Sequence, residues 1–136
     1  QQIAVIKALV RYLGIKVQIV ECPIVREADG LAKSSRNTLL AADERAIAPT
    51  IYKYLKESQE YAHSHSLKET HDWVVEQINA VDGLEVEYFS IVNGNTLTDV
   101  STWDENEYIV GCITVYCGNT PIRLIDHITY RKAVEK

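Results

Sequence analysis

Lys33, Ser34, Ser35 and Arg36 stand side by side in the stretch ADGLAKSSRN, residues 28–37, a few positions after a glycine. Two long cations and two hydroxyls in succession can aim several charge-assisted hydrogen bonds at one small anion. Backbone N–H groups and the positive end of a following helix would add to the same effect. A triphosphate is the natural match for so many donors in so short a run. The same residues also have a plainer reading, in which Ser34 or Ser35 caps the next helix while Lys33 and Arg36 are solvated. The run is not a P-loop, because the Gly-x4-Gly-Lys-Ser/Thr spacing is absent.

Other residue types that carry chemistry are less suggestive. His63, His65 and His71 lie close in sequence, but no carboxylate or cysteine falls at a spacing that converges with them, so they read as a solvated helix end rather than a metal site. Asp104, Glu105 and Glu107 read as a solvated loop between strands. Trp73 and Trp103 read as packing residues. Cys112 and Cys117 are an odd number of positions apart on a strand pattern and therefore face opposite sides. In RLID, residues 123–126, Arg123 and Ile125 share one face and Leu124 and Asp126 the other, and the nearness of Arg123 and Asp126 suggests a structural anchor.

The chain around the loop is acidic. Its 136 residues carry 14 Lys or Arg against 19 Asp or Glu, a net charge of -5, which disfavours phosphate backbones and anionic membranes as partners. Neither nucleic acid nor a membrane is expected, and the cationic loop must act at close range on a small phosphate- or carboxylate-bearing molecule. The three cysteines are odd in number and form no CxxC pair, which fits a reducing, cytoplasmic setting. Apolar runs fall far short of the ~20 residues needed to cross a bilayer. Methionine is absent and residue 1 opens directly into helical pattern, so the chain is expected to be part of a longer protein.

The elements that must position the loop follow from periodicity. Ile3, Ile6, Leu9, Val10 and Leu13 recur at helical spacing and Gly14 supplies a C-terminal cap, predicting a helix over 1–13. KVQIVE, residues 16–21, alternates as a strand that Pro23 ends. Helix, tight connection and strand make the second half of a βαβ unit, whose other strands would lie upstream. The loop then lies outside the carboxyl end of a parallel strand, where open α/β sheets bind ligands. Ile47, Ile51, Leu55 and Ala62 mark a helix over about 43–62 that Pro49 kinks or restarts. Ser66 with Glu69 is a capping box opening a further helix that ends at Gly83. Strands are predicted near 84–92, 107–117 and 121–128, the last two joined by the turn CGNT at 117–120. The class is α+β.

Read together, QQIAVIKALV at the start, CPIVREADGLAKSSRN and RLID resemble the pantoate–β-alanine ligase family, the pantothenate synthetases, among the cytidylyltransferase-like nucleotidyltransferases related to class I synthetases. The resemblance is close over the first fifty positions, looser through the middle, and returns at RLID. It implies a C-terminal helix and antiparallel-sheet lid domain, 38–136, preceded by the last helix and strand of a Rossmann-like domain, 1–24, with a hinge and KMSKS-like loop at 25–37. It implies that Ser34, Ser35 and Arg36 contact the phosphates of Mg-ATP, that backbone groups at Val25 and Lys33 lie near the adenine, and that Gln2 binds pantoate. Mg2+ would be held mainly by the nucleotide and by the part of the site outside this chain. The implied substrates are ATP, pantoate and β-alanine, joined through a pantoyl adenylate, and the implied assembly of the whole ligase is a homodimer. Position 33 is usually methionine or leucine in the motif and RLIDH replaces the usual Arg-Leu-Ile-Asp-Asn, while the family's early His-Ile-Gly-His-type motif and its Lys-Asp pair are not found here. The chain alone is therefore expected to be inactive. The alternatives are a non-catalytic module that self-associates or binds a partner, and a related nucleotidyltransferase acting on another acid.

Overall fold

Ser66 and Glu69 fix the start of the last helix. The Ser66 hydroxyl accepts from the Glu69 N–H at 3.1 Å and the Glu69 carboxylate accepts from the Ser66 N–H at 2.8 Å, a reciprocal capping box. In the computed structural model, which describes residues 1–133, the chain runs α1 (Gln2–Leu13), a short 3₁₀ turn (Ser35–Leu39), α2 (Ala42–Ile47), α3 (Thr50–Tyr61), α4 (Leu67–Asn79), β1 (Leu84–Asn93), β2 (Tyr108–Cys117) and β3 (Ile122–Lys132). Pro49 divides the predicted helix over 43–62 in two, because it has no N–H to continue α2 and its fixed φ suits the cap of α3. The fourth helix ends at Asn79 rather than at Gly83, whose positive φ of 93° serves the turn into β1 instead.

The three strands form one antiparallel sheet in the order β1-β2-β3. Gly118, with φ 93°, makes the tight turn of CGNT that joins β2 to β3 as expected. One face of the sheet meets α3 and α4: Ile51, Leu55, Val74 and Ile78 pack with Ile109, Ile113, Val115 and Leu124, all buried. Burial of such side chains contributes roughly 1.5–3 kcal/mol each. Thus the α+β class is observed.

Residues 1–25 behave differently. The predicted α1 forms and Gly14 caps it in the left-handed conformation, yet no residue of this helix is buried, and Ile6, Leu9 and Leu13 are about half exposed. The strand expected over 16–21 is not formed. KVQIVE is neither helix nor strand, because a strand exists only through a paired ladder and no neighbour is present for it among the described residues. Glu21 ties the segment to its surroundings, accepting from Lys7 at 2.7 Å and from Lys132 of β3 at 3.5 Å. These pairs hold its carboxyl below the usual carboxylate range, the Lys7 hydrogen bond contributing most.

Candidate functional site

The loop is built as a small hairpin. Arg26 and Ala32 form an isolated antiparallel bridge, the Glu27 N–H donates to the Leu31 carbonyl at 2.8 Å, and the Lys33 N–H donates to the Val25 carbonyl at 2.9 Å. Gly30 turns the hairpin at φ 95°, against the ring of Tyr52. Asp29 accepts from the Leu31 N–H and from Arg45 at 2.6 Å, and the Arg45 bond keeps its carboxyl well ionised. At the base the Arg26 guanidinium donates to both oxygens of Asp126 in β3, at 2.7 and 3.0 Å, and to the Gly30 carbonyl at 3.1 Å, while lying 3.7 Å over the Tyr52 ring.

Beyond this hairpin the Ser34 hydroxyl accepts from the Arg36 N–H at 3.2 Å and so caps the 3₁₀ turn. The capping reading is therefore realised for Ser34. The helix dipole expected to aid an anion is small here, since the turn has five residues and the next α-helix begins only at Ala42. Lys33 pairs loosely with Glu27 at 3.9 Å, both largely exposed. Among the described residues Arg36 makes one long side-chain contact, donating to the Arg123 carbonyl at 3.5 Å. Most donor capacity on these two cations is left for something else.

Lys33, Ser34 and Arg36 line one cleft of about 200 Å³ together with Asn37 and residues 123–126 of β3. Asn37 donates to the Ala32 carbonyl at 3.0 Å, and its own amide oxygen is buried without a partner among the described residues. Ser35 is exposed beside this cleft and does not line it. Val25 is joined to the loop through its carbonyl but is not part of the lining, and Gln2 lies in the first turn of α1 and lines none of the three clefts described here. Two larger clefts lie elsewhere: one of about 1040 Å³ among Lys7, 18–21 and 104–108, and one of about 330 Å³ that includes Cys22, Cys112 and His127. Burial pushes the Cys112 thiol up and the His127 imidazole down, so neither is activated as an ionised group.

Arg123 also lines the loop's cleft, a placement that its position in the sequence does not reveal. Its expected pairing with Asp126 is not made, because strand alternation sends the two side chains to opposite faces. Arg123 pairs with Glu87 at 2.7 Å, and Asp126 is the anchor of Arg26 instead. The histidines have other occupations: His65 stacks on Tyr61 at 3.7 Å, and His71 lies 2.8 Å from the Phe89 carbonyl. Trp73 stacks on Tyr61, and Trp103 donates to the His65 carbonyl at 2.9 Å, both as packing residues. Among the described residues there is no group of three His, Cys, Asp or Glu arranged to hold a metal ion, and no helix is long and apolar enough to cross a membrane.

The fold and this cleft define an α+β module that sets a cationic, hydroxyl-bearing loop along the edge strand of a sheet. The family described as pantoate-beta-alanine ligase matches residues 1–129. The pantothenate synthetase of Porphyromonas gingivalis is 52% identical over 130 residues, covering 96% of this chain and 46% of that protein. A crystal structure of pantothenate synthetase from Thermus thermophilus is similar with a TM-score of 0.85 at 34% identity, over 96% of this chain and 46% of the other. A pantoate-beta-alanine ligase from Francisella tularensis, crystallised with β-γ ATP and β-alanine, is similar with a TM-score of 0.58 at 27% identity, over 95% of this chain and 40% of the other. This chain belongs to the pantoate–β-alanine ligase family, and it spans a little under half the length of the curated relatives it matches.

Proposed function

We propose that this chain supplies the phosphate-gripping loop and the closing α+β module of an ATP-dependent ligase that condenses pantoate with β-alanine. The observation that carries the reading is the convergence of Lys33, Ser34 and Arg36 on one cleft, with most of their donors uncommitted among the described residues. In this reading residues 1–24 belong to a nucleotide-binding domain, 25–37 carry the loop, and 38–136 form the lid. The uncovered apolar stripe of α1 supports it, since a helix of that pattern is normally packed on a sheet.

The pantoate carboxylate attacks the α-phosphate of ATP, pyrophosphate leaves, and the amine of β-alanine displaces AMP from the mixed anhydride. No side-chain nucleophile is needed. Arg36 would neutralise charge growing on the leaving phosphates while the Ser34 and Ser35 hydroxyls donate hydrogen bonds to it, a contribution on the order of 10²–10³ in rate for a well-aimed donor. Lys33 and Val25 would present to the adenine the backbone groups not spent on the bond between the Lys33 N–H and the Val25 carbonyl, and Gln2 would bind pantoate. Mg2+ would be held mainly by the nucleotide and by the part of the site outside this chain; of the hairpin carboxylates, Asp29 is already taken by Arg45. Closure of loop and lid would keep water from the acyl adenylate. Cytoplasmic residence and a homodimeric whole enzyme complete the reading.

The test is pantoate-dependent exchange between ATP and pyrophosphate. This chain by itself should show none, and joined to the part of the P. gingivalis synthetase that it does not cover it should restore exchange. Substantial exchange by the chain alone, or an inactive but folded chimaera, would contradict the proposal. The uncovered face of α1 also favours a second reading, self-association without catalysis. Sedimentation of the chain as a dimer with no response to ATP would support that reading instead.

A further inference from the structure

We propose that Arg26 and Asp126 are a positioning pair that fixes the phosphate loop to the edge strand β3, so that loop and sheet move as one body. The inference rests on the phosphate reading given above and adds to it a pair at the base of the same cleft whose charges are spent on each other. Arg26 and Asp126 are 100 positions apart, and their side chains retain only 15% and 5% exposure. Two parallel N–H···O bonds at 2.7 and 3.0 Å fix the guanidinium in plane as well as in position. The Tyr52 ring at 3.7 Å closes one face of it, and the Gly30 carbonyl takes a further donor. On the other side Asp126 Oδ1 accepts from the His127 N–H at 2.7 Å, which ties the carboxylate to its own strand.

The hairpin carries this fixation to the loop. Arg26 bridges Ala32, and the Lys33 N–H is held by the Val25 carbonyl, so the backbone entering Ser34 is referenced to β3 within two hydrogen-bonded steps. The far end of the cationic run only rests against the same strand, through the long 3.5 Å contact of Arg36 with the carbonyl of Arg123, three residues before Asp126. Loss of either member leaves an uncompensated, nearly buried charge and releases the first of these two references. A loop held only at Arg123 would keep its donors but lose their convergence.

Asp126→Asn, which preserves shape, and Arg26→Lys, which keeps charge but not the fork, are compared with the unaltered chain by amide hydrogen exchange and by pyrophosphate titration. Asp126→Asn should speed exchange at the Lys33 amide by about tenfold or more while amides of the β1–β2 ladder stay protected. It should also weaken pyrophosphate binding by about tenfold, the equivalent of roughly 1.4 kcal/mol, with Arg26→Lys intermediate in both. Unchanged Lys33 exchange and unchanged affinity in both variants would overturn the inference. So would a uniform loss of protection across the sheet in both variants, which would mark the pair as part of general stability. If the unaltered chain fails to take up pyrophosphate, the phosphate reading falls, whereas the mechanical coupling is still decided by the Lys33 amide.

Discussion

The Arg36 guanidinium rests against the backbone carbonyl of Arg123, a single contact of 3.5 Å that joins the cationic loop to the edge of β3. A bond of that length on an exposed side chain holds weakly, so Arg36 can turn to an anion at little expense. Arg36→Ala should therefore leave the melting temperature within ~2 °C of the parent value. The same change should lower pyrophosphate affinity about tenfold or more, and adenylation by the chimaera on the order of 10²-fold. Calorimetry and titration of one sample separate the two effects.

Tyr130 gives a pH dependence with a defined sign. Its hydroxyl lies 2.7 Å from the Ser58 hydroxyl between β3 and α3, and burial pushes its pKa from 10.0 up to about 12. Between those values the unfolded chain releases the phenolic proton and the folded chain keeps it, so this contribution to stability is complete below pH 10 and disappears as pH rises toward about 12. The slope attributable to this group is at most about 1.4 kcal/mol per pH unit. Denaturant unfolding at successive alkaline pH values should show the slope in the parent and its reduction in Tyr130→Phe.

Gly30 should resist substitution. At φ 95° a side chain is strained, and a Cβ there would come within 2.5 Å of the Tyr52 ring, the same ring that lies under Arg26. Gly30→Ala is expected to destabilise the chain by about 1–3 kcal/mol and to disturb the resonances of Arg26 and Tyr52 before those of α4. Unfolding curves and side-chain spectra check both parts.

Lys33 is where the chain departs from the methionine or leucine usual in the resembled motif. Its ammonium is largely exposed and 3.9 Å from Glu27, a surface pair of little worth. Lys33→Met should change stability by less than about 0.5 kcal/mol while weakening pyrophosphate binding several-fold. An equal affinity would remove the Lys33 charge from the anion site.

What could be read from the sequence was what local chemistry decides. The Ser66 and Glu69 capping box, the Gly118 turn and the Gly14 cap all fall where residue type alone placed them. The strand over 16–21 failed for the opposite reason, since its alternation is real but its ladder needs neighbours that residue types cannot provide. Contacts remote in sequence were also hidden. Nothing local announces that Arg26 reaches Asp126, and the nearness of Arg123 to Asp126 in sequence misled because adjacent strand faces separate them. Arg123 could have been placed beside the loop only by knowing that β3 is the edge strand along which the loop lies.

The most direct measurement is a titration of the isotopically labelled chain with pyrophosphate, followed through the backbone amide signals of residues 30–38. Saturable shifts centred on Lys33, Ser34 and Arg36, absent in Arg36→Ala, are the predicted result. Signals that stay in place up to millimolar pyrophosphate, or that move equally in the variant, would contradict the claim that this loop grips phosphate.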